Sequence, residues 1–280
     1  MTVVALSASW PVCPSATAAE KAAAKLWVAD ALTMPGRPVR LEARLLRTGL
    51  FSQQGLGGER IEFHVDGRSI GTTLTGGDGR AFLEHTPRMR GRHEIRAVLS
   101  PNPRVTSPEG TATLWCWERR RPILLVDLEA VTEPPRSPLP LPSFPLDFGK
   151  ANRGKAEPDA AQELKRLSEF FYNVIYLSRS GSEDVAQLEE IRAWLRDQRF
   201  PAGLVIMFRP GAEALAQKIE EMRAGGWDNL RAGIGRTKEF AEVLLAHRMG
   251  AVILPPSEKD LDLPRKAKVV KTWKEIRKKL

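Results

Sequence analysis

Cysteine is nearly absent from this chain, with Cys13 and Cys116 the only two in 280 residues. They stand far apart and match no metal-ligand spacing, which argues against a zinc site and against a disulfide framework. Histidine is scarce too: His64, His85 and His93 fall on separate predicted strands without ligand spacing and read as surface or edge residues. No apolar run approaches the length of a membrane-spanning helix. Acid is in deficit, with 43 Lys and Arg against 34 Asp and Glu and a formal charge of +9, a balance that favours anionic partners such as phosphates, acidic lipid or nucleic acid. Nucleic acid rests on charge alone and is the weakest of the three.

What is present suffices for two ordinary domains, since 42% of the residues are hydrophobic and 28% charged. Residues 1–25 read as an N-terminal segment. Positions 2–12 are mildly apolar and Ala16-Thr17-Ala18 has the form of a signal-peptidase site. No Lys or Arg precedes them, however, and Trp10 and Pro11 interrupt the run, so a cytoplasmic location is favoured over export. The Ala/Lys-rich stretch 18–25 is helix-prone.

From 26 to 118 the pattern changes to short alternating segments at 26–32, 39–47, 59–66, 69–75, 80–85, 93–99 and 111–117, divided by Gly, Pro and Asp. Seven short strands at this spacing predict an antiparallel all-β sandwich. Ile61, Phe63 and Val65 fall on one face and Glu62, His64 and Asp66 on the other, with Asp66-Gly67 and Gly76-Gly77-Asp78-Gly79 as hairpin turns. The run GERIEFHVDGRSIGTTLTGGDGRAFLEHTPRMRGRHEIRAVL resembles bacterial immunoglobulin-like repeats over about ninety residues, through the order of its glycines, turns and strands. That resemblance implies a fold and no activity.

From 119 to 280, strand patterns at 123–127, 174–178, 204–208, 232–235 and 251–254 alternate with helical ones, as in Leu164/Leu167/Phe171 and Leu188/Ile191/Leu195. This predicts an α/β domain with a Rossmann-like parallel sheet. The central strand pattern, RPILLVD, ends abruptly in Asp127, and open parallel sheets place ligands beyond the carboxyl ends of their strands. Between that strand and the first helix runs a proline-rich loop of the length expected of a lid. At the carboxyl terminus a run of lysines surrounds Trp273, Ile276 and Leu280 at helical spacing, which predicts a final helix that covers the sheet or lies on an anionic membrane.

The segment FFYNVIYLSRSGSEDVAQLEEIRAWLRDQRFPAGLVIMF resembles the LNS2 module of lipins and of membrane-associated phosphatidylinositol transfer proteins, a branch of the haloacid dehalogenase-like (HAD) superfamily. The similarity covers about 160 residues, and WLRDQRFPAGL is its most specific part. It implies that Asp127 is the nucleophilic aspartate of a magnesium-dependent phosphatase working through an aspartyl-phosphate, with Glu129 at the general acid/base position. It further implies Ser178, Lys218 and Arg236 as phosphate-binding groups, and Asp127 with Glu239, or Glu242 a turn later, as ligands to Mg²⁺. The expected substrate or ligand is a phosphorylated small molecule or an anionic phospholipid such as phosphatidate, with peripheral membrane contact.

The chain also departs from that pattern. The acid/base position holds Glu rather than Asp, the hydroxyl of the motif is replaced by Val131, and Arg236 stands where a metal-binding acid or amide is expected. Two outcomes are open: a phosphatase with weak turnover, or a binding module that kept the phosphate pocket and lost catalysis. If Arg236 points inward it pairs with Asp127 and takes the cation's place; if it points outward, Glu239 can reach a metal.

Overall fold

The structure, a computed structural model, describes residues 21–48, 53–133, 154–180, 185–254 and 262–280. The expected leader and the proline-rich loop lie almost wholly outside these residues. Eleven strands come first: β1 (Ala22–Ala23), β2 (Lys25–Val28), β3 (Ala31–Thr33), β4 (Val39–Thr48), β5 (Gln53–Gly55), β6 (Arg60–Val65), β7 (Arg68–Leu74), β8 (Arg80–His85), β9 (Gly91–Leu99), β10 (Val105–Thr106) and β11 (Gly110–Cys116). Strands then alternate with helices: β12 (Ile123–Asp127), α1 (Leu128–Val131), α2 (Ala160–Phe170), β13 (Asn173–Arg179), α3 (Val185–Asp197), β14 (Leu204–Phe208), α4 (Ala212–Ala224), β15 (Leu230–Gly235), α5 (Lys238–Ala246), β16 (Gly250–Ile253) and β17 (Lys268–Val269), ending in a 3-10 helix (Trp273–Lys278). The chain forms two compact units, one of Met1–Ala29, Glu42–Leu83 and Glu94–Ala112, the other of Asp30–Leu41, Glu84–His93 and Thr113–Leu280.

The first unit is an all-β sandwich of two antiparallel ladders. In one, β2 runs against β4, with Leu26 opposite Leu45 and Val28 opposite Ala43. In the other, β6 lies between β7 and β9, so that Phe63 faces Gly71 on one side and Ala97 on the other. Ile61, Phe63 and Val65 are buried while Glu62 and His64 are half-buried, the alternation that a one-sided sheet requires. The β6–β7 hairpin turns at Asp66 and Gly67, both at positive φ (49° and 77°), which is the backbone a two-residue turn of this hand needs. Position 55 must be glycine for a different reason: a Cβ there would stand 2.1 Å from the Asp78 carbonyl oxygen.

The helix expected over 18–25 does not form where the chain is described. Ala22–Ala23 pairs in parallel with Val105–Thr106, the Ala22 N–H donating to the Arg104 carbonyl at 2.9 Å, and Lys25 already begins β2. A neighbouring strand supplies backbone partners and overrides a weak local propensity.

In the second unit a parallel sheet runs in the order β14-β13-β12-β15-β16-β17. All five residues of β12 are buried, as expected of a strand flanked on both edges and covered on both faces. One row of the sheet, Ile123, Leu125, Ile175 and Leu177, shares a core with Leu215, Ile219 and Met222 of α4 and Phe240 and Leu244 of α5. The opposite row, Leu124, Val126, Val174 and Tyr176, is equally buried. The carboxyl-terminal α-helix expected from lysine spacing is instead the edge strand β17 followed by a 3-10 helix. Trp273 and Ile276 anchor that helix inside, the Trp273 indole donating to the Ala130 carbonyl at 3.2 Å. Two buried anchors three residues apart suit a 3-10 turn as well as an α-turn.

Candidate functional site

The site is built on the ends of two adjacent parallel strands. Asp127 closes β12 with extended backbone (φ −66°, ψ 128°), and its Oδ1 accepts the N–H of Glu129 at 3.1 Å, capping the single turn of α1. Asp127 pairs in register with Leu177 of β13. Two residues further along β13, on the same face of the pleat, comes Arg179. Its Nη2 bonds Asp127 Oδ2, and its Nη1 lies 3.3 Å from Glu129 Oε2. The Asp127 side chain is 3% exposed, that of Arg179 23% and that of Glu129 54%, so the aspartate is sealed and its glutamate neighbour reaches solvent.

Burial pushes the Asp127 carboxyl above its ordinary range, aided by the Glu129 charge and opposed by Arg179 and the Glu129 N–H. Burial works against the charge of Arg179 as well. The fields of Asp127, Glu129 and Glu239 outweigh it and hold the guanidinium above its ordinary value, so it stays charged. One fixed cation thus serves three acids, drawn from the end of β12, from α1 and from the first turn of α5.

The other expected site residues are placed differently. Arg236, which follows β15, bonds groups other than Asp127. Its Nε donates to the Glu129 carbonyl at 2.8 Å, and its Nη2 bonds the Thr132 carbonyl at 3.3 Å and the Glu157 carboxylate. These carbonyls end a one-turn helix and have no intrahelical donor, so a guanidinium beside them completes the helix rather than the catalytic acid. Ser178 is buried, and the pleat sets it on the face opposite Asp127 and Arg179. Lys218 lies two turns into α4 and donates to Glu221 at 2.6 Å, a surface pair three residues apart that leaves it away from the strand ends. Glu239 sits in the first turn of α5 and Glu242 one turn later, 3.9 Å from Lys238.

The glycines before Arg236 serve packing. A Cβ on Gly233 would come within 2.5 Å of Leu244 Cδ1, and one on Gly235 within 2.4 Å of Phe240 Cδ1, so both let α5 lie close against β15.

The donor set does not fit Mg²⁺. That ion takes six oxygens in near-octahedral array, whereas both Asp127 oxygens are already engaged and the group beside them is itself cationic. Among the described residues no three Asp, Glu, His or Cys are grouped for a metal. Arg179 is the residue that sequence reasoning missed. The segment YLSR contained it, one position past the expected strand end, but only the extension of β13 and its register against β12 bring it to Asp127.

No protein-family model matches the sequence, and no curated protein matches it. Among solved structures, fibronectin(III)-like modules of CbhA from Clostridium thermocellum are 17% identical over 33% of this chain and 94% of theirs, with a TM-score of 0.22. The CARDB domain of the PF1109 protein from Pyrococcus furiosus is 15% identical over 34% of this chain and 85% of its own, with a TM-score of 0.24. At such scores the strand pairing itself remains the ground for describing the first unit as an all-β sandwich.

Proposed function

We propose that residues 119–280 form a HAD-like domain of the lipin/LNS2 type whose nucleophilic aspartate is held back, and that the protein recognises a phosphorylated ligand with very weak turnover or none. One observation carries this reading: Arg179 bonds Asp127 and lies against Glu129, the two groups that would attack phosphorus and shuttle the proton. A carboxylate whose lone pairs are committed to a guanidinium and a backbone N–H is a poor nucleophile. The guanidinium occupies the neighbourhood where such enzymes need a divalent cation to offset phosphate charge. The chain's charge of +9 supports an anionic ligand.

Phosphate release from phosphatidate and from p-nitrophenyl phosphate, with and without magnesium, tests the reading. Wild-type protein should stay near background. Arg179→Gln should raise magnesium-dependent release, and Asp127→Asn in that variant should abolish the gain. Robust wild-type turnover lost on Asp127→Asn would show an active phosphatase, and turnover surviving that change would place the chemistry elsewhere.

A further inference from the structure

Away from Asp127, the second unit carries a cavity of about 530 Å³ lined by Arg90, Arg92, Trp115, Trp117, Glu118, Arg121 and Asn173, among others. Its floor is the amino-terminal edge of the parallel sheet, since Arg121 precedes β12 and Asn173 opens β13. Asn173 pairs in register with Ile123, and Asp127 is four residues beyond Ile123 along β12, a separation of roughly 13 Å at the rise of a strand. The two sites are therefore distinct.

The charges in this wall are unbalanced, with three guanidiniums facing one carboxylate. Glu118 is held 3.1 Å from Arg90, and both side chains are exposed. Arg92 is exposed and makes no ion pair among the described residues. Arg121 Nη2 is anchored on the Ser168 and Tyr172 carbonyls, which fixes the guanidinium without neutralising it. Behind the surface lie three buried donors without a partner: Trp115 Nε1, Arg121 Nε and Asn173 Nδ2, with Trp115 only 7% exposed. No acceptor of a lining residue is orphaned. These atoms are themselves covered, and the unpaired Asn229 Oδ1 lies near them, since the Asn229 amide donates to the Arg121 carbonyl at 2.5 Å, so the guanidiniums on the surface of the wall are what faces the cavity. The tilted pair of indoles, with ring centroids 5.7 Å apart, supplies an apolar backing.

We infer that this cavity binds a small organic anion: its oxyanion is taken by Arg92 and Arg90, while its apolar part lies on the tryptophans. The volume suits a small molecule, and concentrated guanidiniums suit a carboxylate or phosphate ester. Glu118 then acts as the internal competitor, occupying Arg90 until the ligand displaces it.

Titration of the full chain with phenyl phosphate, inorganic phosphate and phenol, followed by the indole N–H resonances and by calorimetry, tests this. The Trp115 resonance is assigned by Trp115→Phe. Phenyl phosphate should shift it, inorganic phosphate should bind more weakly, and phenol should do nothing. Arg92→Ser should weaken binding about tenfold, the loss of one charge-assisted bond. Glu118→Gln should tighten it several-fold, an opposite-sign change that mere loss of folding cannot produce. Equal binding of phenol, an unmoved Trp115 resonance at millimolar phenyl phosphate, or indifference to both substitutions would overturn the assignment.

Discussion

Two strands of similar length, β6 in the sandwich and β12 in the parallel sheet, solve burial in opposite ways. In β6, Ile61, Phe63 and Val65 are buried while Glu62 and His64 reach solvent in part; in β12 no residue does. The difference follows from what covers them. An antiparallel sheet with one wet face tolerates charge at every second residue, whereas a parallel strand between helices has no such position until its end. Asp127 is that end, the first place on β12 where a charge can be met by partners rather than by hydrocarbon.

The comparison is broken most severely by a charge in the wrong row. Leu124→Asp places an unpaired carboxylate in the fully buried row of β12 and should cost several kcal/mol or abolish the fold, seen as loss of cooperative thermal unfolding.

Removing the cation at the strand end comes next. Arg179→Ala leaves Asp127 buried without its partner, an expected loss of about 3–5 kcal/mol in urea denaturation at neutral pH. Acidification should reduce that loss, because protonation of Asp127 removes the stranded charge.

A smaller effect should appear in the wild type. With its folded pKa raised, Asp127 contributes stability that is fully present below its unfolded value of about 3.9 and is lost as pH rises through the folded value. Asp127→Asn removes this dependence, so its stability relative to wild type should improve as pH rises above about 4. A difference flat with pH would contradict burial as the dominant influence on this carboxyl. The smallest change belongs to the wet face of β6, where Glu62→Thr should stay within about 0.5 kcal/mol of wild type.

Much of the architecture was legible because it is written in period and punctuation. The strand patterns at 123–127 and 204–208 coincide with β12 and β14, and the Asp66-Gly67 hairpin stands where its residues put it. Local composition misled where neighbours decide. Ala22–Ala23 is a strand because Val105–Thr106 lies beside it, and among the terminal lysines Lys268 belongs to β17 while Lys274 and Lys278 ride on a 3-10 turn whose Trp273 and Ile276 find buried places three residues apart.

For the site, the sequence alone determined that Asp127 ends the central buried strand and that arginine is available nearby; an apolar run closed by an acid has few other meanings. Which arginine meets it was decided by the tertiary structure. Arg236 is drawn to the open carbonyls of α1 and to Glu157, while Arg179 reaches Asp127 through strand register across fifty-two residues of chain. An ion pair depends on where two backbones place their side chains, and that placement comes from sheet pairing, which no spacing along a single strand can encode.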